Sequence, residues 1–156
     1  QRLRTEALAL GSIARELPRG TDPVRGAERA LDFYKRAFGA EELVRMPSPD
    51  GKIMHAELKF GDCFIFLGDE CPGMGNGAPP TYGGTPVSIH LYVNDVDATF
   101  GRAVAAGAKV TMPPMDMFWG DRYGKLQDPF GHLWALATHK EDVAPDEMAR
   151  RMAAMA

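Results

Sequence analysis

The sequence is poor in the residues that staple or span. Cysteine occurs twice in 156 residues, as Cys63 and Cys71. The pair makes neither a disulfide framework nor a zinc-ligand spacing, so a cytoplasmic location is the expectation. Cys63 lies in an apolar run and reads as a small buried hydrophobe, not a nucleophile. No apolar run reaches the length of a membrane-spanning helix. The first residues carry arginines, but their apolar part is broken by Gly11, Ser12, Arg15 and Glu16, which does not make a signal peptide. The formal charge is −3 and no basic stripe occurs, which excludes a general nucleic-acid binder. There is also no Gly-rich strand-to-helix turn of the kind that cradles a nucleotide cofactor.

What is present is ordinary for a globular chain: 45% hydrophobic and 25% charged residues, enough for one domain or two small fused modules. Leu3, Ala7, Leu10, Ala14 and Leu17 fall at helical spacing and predict a helix over 3–17. Residues 18–26, PRGTDPVRG, are a turn-rich linker. Ala27–Phe38 predicts a helix with Ala27, Ala30, Leu31, Tyr34 and Phe38 on one face and Gly39 as its stop. Strands follow at Glu42–Met46, Lys52–Phe60 and Cys63–Leu67. On the second of these, Met54, Ala56, Leu58 and Phe60 are expected to face inward, and His55 and Glu57 outward. The stretch CPGMGNGAPPTYGGTP at 71–86 reads first as a linker and second as a flap over a cleft. Beyond it come a strand at Val87–Val93, a helix at Val96–Ala106 capped by Asp95, and strands at Lys109–Met112 and Arg122–Gln127. Asp128-Pro129-Phe130-Gly131 has the chemistry of a tight turn. His132–Thr138 is a short apolar strand closing a hairpin, with His132 structural. A short amphipathic helix ends the chain at 145–155.

DPFGHLW after WGDRYG resembles the last hairpin of the vicinal-oxygen-chelate superfamily, the glyoxalases and bleomycin-resistance proteins, and most closely its PhnB-like branch. AERALDFYKRAFGAEEL (27–43) and VSIHLYVNDVDATFGRAVAAGAKV (87–110) resemble a helix with its following strand and a module opening in the same superfamily. The resemblance implies an α+β fold. Two βαβββ-type modules would form a curved mixed sheet cup with helices outside, divided as 1–26 (helix and linker), 27–70, 71–86 (linker), 87–139 and 140–156 (tail). The first strand of the first module is atypical, because Pro and Gly occupy its place; it is either very short or replaced.

The resemblance also implies a divalent metal in the cup, held by His and Glu. At three positions where ligands are expected this chain has Ser88, Ala135 and Ile65, none of them a useful ligand. A displaced site built from His55, Glu57 and His90 is the alternative. Independently of any metal, Ser88, His90 and Tyr92 share one face of a strand. His90 there is a candidate general base or ligand contact. Trp119, Arg122 and Tyr123 suit the rim of a cleft for a planar or anionic small molecule; alternatively Trp119 is core and Arg122 pairs with Asp121 or Asp128. No cofactor is expected with a degraded metal site, whereas the alternative requires a divalent metal. Three functions follow: a small-molecule-binding homodimer; a metal-dependent lyase or dioxygenase-type enzyme; or a structural homodimer module with a vestigial cleft. None involves nucleic acid or a membrane.

Overall fold

The computed structural model describes residues 22–24 and 26–155; the helix expected at 3–17 lies outside them. The first described helix, α1, is Ala27–Phe38, the span that its apolar stripe predicts. It buries Phe33 and Ala37 along with Ala27, Ala30, Leu31 and Tyr34 of the expected face, because it is packed from two sides, and Phe38 of that face is partly buried against the core. Gly39 ends it in the left-handed conformation, with its N–H donating to the Lys35 carbonyl. Its start has no local cap. Asp69, forty-odd residues on, accepts the N–H groups of Gly26 and Ala27 on Oδ1 at 2.9 Å each and that of Ile53 on Oδ2 at 2.8 Å.

Around α1 run β1 (Asp22–Val24), β2 (Glu41–Pro47), β3 (Ile53–Phe60) and β4 (Cys63–Asp69), in the sheet order β1-β4-β3-β2. The atypical first strand is thus three residues long and lies parallel to the end of β4, so the first module starts before residue 27. The second module repeats the plan with β5 (Ser88–Tyr92), α2 (Val96–Ala105), β6 (Lys109–Asp116), β7 (Asp121–Gln127) and β8 (Leu133–His139), ordered β5-β8-β7-β6. β5 is parallel to β8 and the other pairs are antiparallel. The fold is therefore α+β with two βαβββ modules, their strands bonded as two four-stranded sheets. At the start of α2, Asp95 caps Ala98 as its sequence position predicts. Thr138 also accepts from the Val96 N–H and donates to the Val93 carbonyl, the counterpart of Asp69 in the first module.

Two strands depart from expectation. β6 continues to Asp116 through Pro113 and Pro114. It is an edge strand with register shifts at Val110/Met112 and Met112/Met115, and an edge tolerates prolines that cannot donate. On β3, Met54 is 61% exposed and Ile53 takes the buried place. The bulge between Met46 and Pro47 on the neighbouring strand accompanies this change of phase.

The modules share one core. Phe33, Tyr34, Phe38 and Phe60 from the first meet Phe130 and Trp134 from the second, with Phe38 and Trp134 ring centroids 4.5 Å apart. The linker between the modules is folded onto the body. It contains 3-10 turns at Pro72–Met74 and Pro79–Tyr82, and Glu70 accepts from the Ala78 N–H and the Thr81 hydroxyl. The last helix, α3, is Pro145–Ala153. No helix among the described residues is long and apolar enough to cross a membrane. Because the shared core uses the helix-covered face of each sheet, each module leaves its other sheet face open.

Candidate functional site

The open face of the second sheet is read directly from strand register. Residues paired across strands lie on the same face. One row runs Tyr92, Ala137, Tyr123, Met115; the next His90, Ala135, Lys125, Met112; the third Ser88, Leu133, Gln127, Lys109. The central strand contributes small residues, Ala135 and Ala137. His90, Tyr92 and Tyr123 flank them on the neighbouring strands: His90 lies 4.9 Å from Tyr92 and 5.7 Å from Tyr123 between centroids. Trp119 extends the cluster, with its ring 5.6 Å from that of Tyr123. These side chains are half-buried, with the alanines beneath them buried.

One buried carboxylate anchors two rings of the cluster. Asp121 is 4% exposed. Its Oδ2 accepts the Tyr92 hydroxyl at 2.7 Å and the Trp119 indole N–H at 3.0 Å. Its Oδ1 lies 2.9 Å from Nδ1 of His139, whose Nε2 is 3.0 Å from Asp142. The hydrogen bond to Asp121, supported by Asp142, holds the His139 imidazole above its ordinary pKa. His90 behaves oppositely. Burial pushes its pKa down, only partly offset by the charge of Asp121. Its Nε2 is closed off and has no hydrogen-bond partner among the described residues.

The expected site residues are thus divided. Ser88, His90, Tyr92, Trp119 and Tyr123 share the open face or its end. Arg122 does not join them: strand alternation turns it to the other face, where it binds Asp97 through Nε and Nη2 and Asp116 through Nη1, neither of the partners considered for it. Trp119 is not core but a donor to Asp121. His132 lies beside Asp128, which accepts its backbone N–H on Oδ1. Asp121 and His139 were not singled out by sequence. Their one signal was the alternation that puts Asp121 on the face of Tyr123, and it does not reveal partners 18 and 29 residues away in sequence.

The first sheet has its own open face, where the rows are Met46 with His55, Val44 with Glu57 and Phe66, and Glu41 with Lys59 and Phe64. His55 Nε2 meets Glu57 Oε1 at 3.1 Å and its ring lies against Phe66. His55 and Glu57 therefore do share a face, but that face belongs to the other sheet from His90. Among the described residues no three His, Cys, Asp or Glu side chains are grouped to hold a metal ion, so the displaced site is not assembled within the chain. Ile65 packs against the core, and its neighbour Phe66 takes the open face of β4. Ala135 does look onto the open face, beside His90 and Lys125. Within one chain the residues at the expected ligand positions, Ser88, Ala135 and Ile65, supply no His, Asp or Glu donor to hold the expected divalent metal.

The family model described as Glyoxalase/Bleomycin resistance protein/Dioxygenase superfamily matches residues 22–136. An uncharacterized protein of Mycobacterium tuberculosis is 48% identical over 132 residues, covering 83% of this chain and 78% of its own. The crystal structure of TioX from Micromonospora superposes with a TM-score of 0.58 at 29% identity, over 81% of this chain and 100% of that one. A glyoxalase-related enzyme from Fulvimarina pelagi gives 0.61 at 19% identity, over 80% of this chain and 88% of its own, a likeness of fold alone.

Proposed function

Since this chain belongs to the glyoxalase/bleomycin resistance protein/dioxygenase superfamily, we propose that it binds a small organic molecule against the open face of its second sheet, without a divalent metal. The observation that carries this is the aromatic cluster of His90, Tyr92, Tyr123 and Trp119, two of whose rings, Tyr92 and Trp119, donate to the buried Asp121. Rings held by a buried acceptor are pre-organised, so a flat ligand stacking on them orders little that is not already ordered. A cleft needs a second wall, and the open face of the first sheet supplies a complementary one from another copy. That face exposes Met46 by 46% and Phe64 by 49%, side chains that favour burial. A homodimer with the two kinds of open face opposed would enclose the aromatic cluster. His90, whose pKa burial pushes down, is then a hydrogen-bonding wall of the cleft.

The test is a thermal-shift screen of flat organic molecules against the wild type and Tyr123→Ala, with metal content measured after dialysis against Mn²⁺, Ni²⁺, Zn²⁺ or Fe²⁺. The expected result is ligands that raise the wild-type melting temperature but lose at least half of that effect in the variant, with no metal retained. Near-stoichiometric metal lost on His90→Ala would overturn the metal-free reading in favour of a metal-dependent enzyme.

A further inference from the structure

The charges around the aromatic cluster are unevenly placed. The three rows of the second open face contain two charged residues, Lys125 and Lys109, both cationic. Lys125 places its Nζ 5.9 Å from the centroid of the Tyr123 ring. The nearby carboxylate, Asp121, is buried behind Tyr92 and Trp119 and faces His139.

His139 has a carboxylate at each ring nitrogen. A neutral imidazole has one N–H and can donate to only one of them; the imidazolium donates to both. The charged groups facing His139 are Asp121 from β7 and Asp142 from the segment after β8. Glu141 turns away to Arg151, and Arg122, next to Asp121, is held by Asp97 and Asp116 on the opposite face. His90, on β5, also feels Asp121. While His139 carries its proton, the buried Asp121 charge is compensated and the face is cationic through its lysines. When His139 loses that proton, the charge of Asp121, to which Tyr92 and Trp119 donate, is no longer offset by an imidazolium.

We propose that this face selects planar organic anions and that His139, acting through Asp121, is the positioning residue that sets this charge preference. The inference rests on the second open face being the ligand site. The preference is fullest while His139 is protonated and weakens as pH rises through the titration of His139, which the hydrogen bonds to Asp121 and Asp142 raise above its ordinary value.

The experiment uses two flat probes of fixed charge, naphthalene sulfonate and N-methylquinolinium. Each is titrated into the full chain between about pH 5.5 and about pH 9, a window spanning histidine titration. Binding is followed by calorimetry and by the two tryptophan indole N–H resonances, of which that of Trp119 reports the face. The sulfonate should bind more tightly at the acid end, and its advantage should shrink by roughly fivefold on going to the alkaline end, the scale of one partly screened charge at close range. His139→Gln, which keeps a donor for Asp121 without a titrating charge, should abolish the pH slope. Lys125→Met should lower the sulfonate preference at every pH and leave the slope. A preference for quinolinium at acid pH, or an unchanged slope in His139→Gln, overturns the proposal. If both probes shift Trp119 equally at all pH values, the ligand face stands and its charge selection falls. If neither probe shifts Trp119, the ligand-face reading falls with it.

Discussion

Asp128 shows how much one residue of a turn can hold. Its Oδ1 accepts the backbone N–H groups of Phe130 and His132, and its Oδ2 accepts the Tyr34 hydroxyl at 2.7 Å and the Trp134 indole at 2.9 Å. Tyr34 comes from α1, so this carboxylate ties the first module to the turn that closes the second. Burial by itself would raise its pKa, but contacts from His132, Trp134 and Tyr34 outweigh that and hold it below the ordinary carboxylate value. A lowered carboxylate contributes stability above its unfolded pKa and loses it as pH falls through the folded value. Asp128→Ala strands four donors and should cost on the order of 3 kcal/mol in urea unfolding, with Tyr34→Phe costing about 1 kcal/mol. The Asp128→Ala protein should also show a flatter loss of stability toward acid pH; an identical acid profile would show that Asp128 is not the group responsible. The DPFG turn was legible in the sequence because Asp, Pro and Gly each have a local reason to be there. That its Asp also receives Tyr34 was not, since nothing local distinguishes a turn carboxylate that bonds its own loop from one that also bonds a helix 94 residues away.

At the scale of elements, α1 and α2 begin in different ways. Asp95 caps α2 from the preceding residue, which sequence shows at once. α1 begins at Gly26, which has no side chain to cap it, and borrows Asp69 from the end of β4. The same carboxylate fixes Ile53 at the start of β3, so helix and sheet are coupled through one residue. Replacing Asp69 by Ala should therefore cost about 2 kcal/mol, the upper part of the range for a lost cap, against about 1 kcal/mol for Asp95→Ala. Equal costs in thermal or denaturant unfolding would argue that Asp69 acts as an ordinary cap and no more. Close approach also acts at this scale. A Cβ on Gly124 would stand 2.9 Å from Phe100 and 3.0 Å from the Pro114 nitrogen, so β7 admits α2 and the proline-containing edge strand only because that position is bare.

For the whole molecule, the decisive feature is that the core joins the helix-covered faces and leaves two sheet faces open. A chain that exposes Phe64, Met46 and Val44 on one such face and Met115 on the other has apolar surface suited to self-association. Sedimentation should give a dimer for the wild type. Phe64→Glu, which places a charge on a side chain outside the core, should shift it toward monomer with an unchanged circular dichroism spectrum and a weakened ligand response. A monomeric wild type, or a Phe64→Glu protein that remains dimeric, would remove the first sheet as the second wall of the cleft.

The sequence by itself determined most of the elements and their order, β1 excepted, whose place Pro and Gly obscure. Apolar periodicity marks α1, Asp95 marks the start of α2, glycines stand where helices stop and hairpins turn, and the resemblance of DPFGHLW and its companion stretches to one superfamily implies two modules. These are local properties, governed by neighbours a few residues apart, and a sequence displays them directly. It also placed His90, Ser88 and Tyr92 on one face, since period-two alternation needs only the strand. The tertiary structure alone decided which groups meet. It sent Arg122 to Asp97 and Asp116, parted His55 and Glu57 from His90 by placing them on different sheets, and brought Asp121, His139, Tyr92 and Trp119 to one buried carboxylate. Hydrogen bonds and ion pairs act over about 3 Å in space, whatever the separation along the chain, and in this molecule the distances that matter for function are set by how β5, β7 and β8 pair.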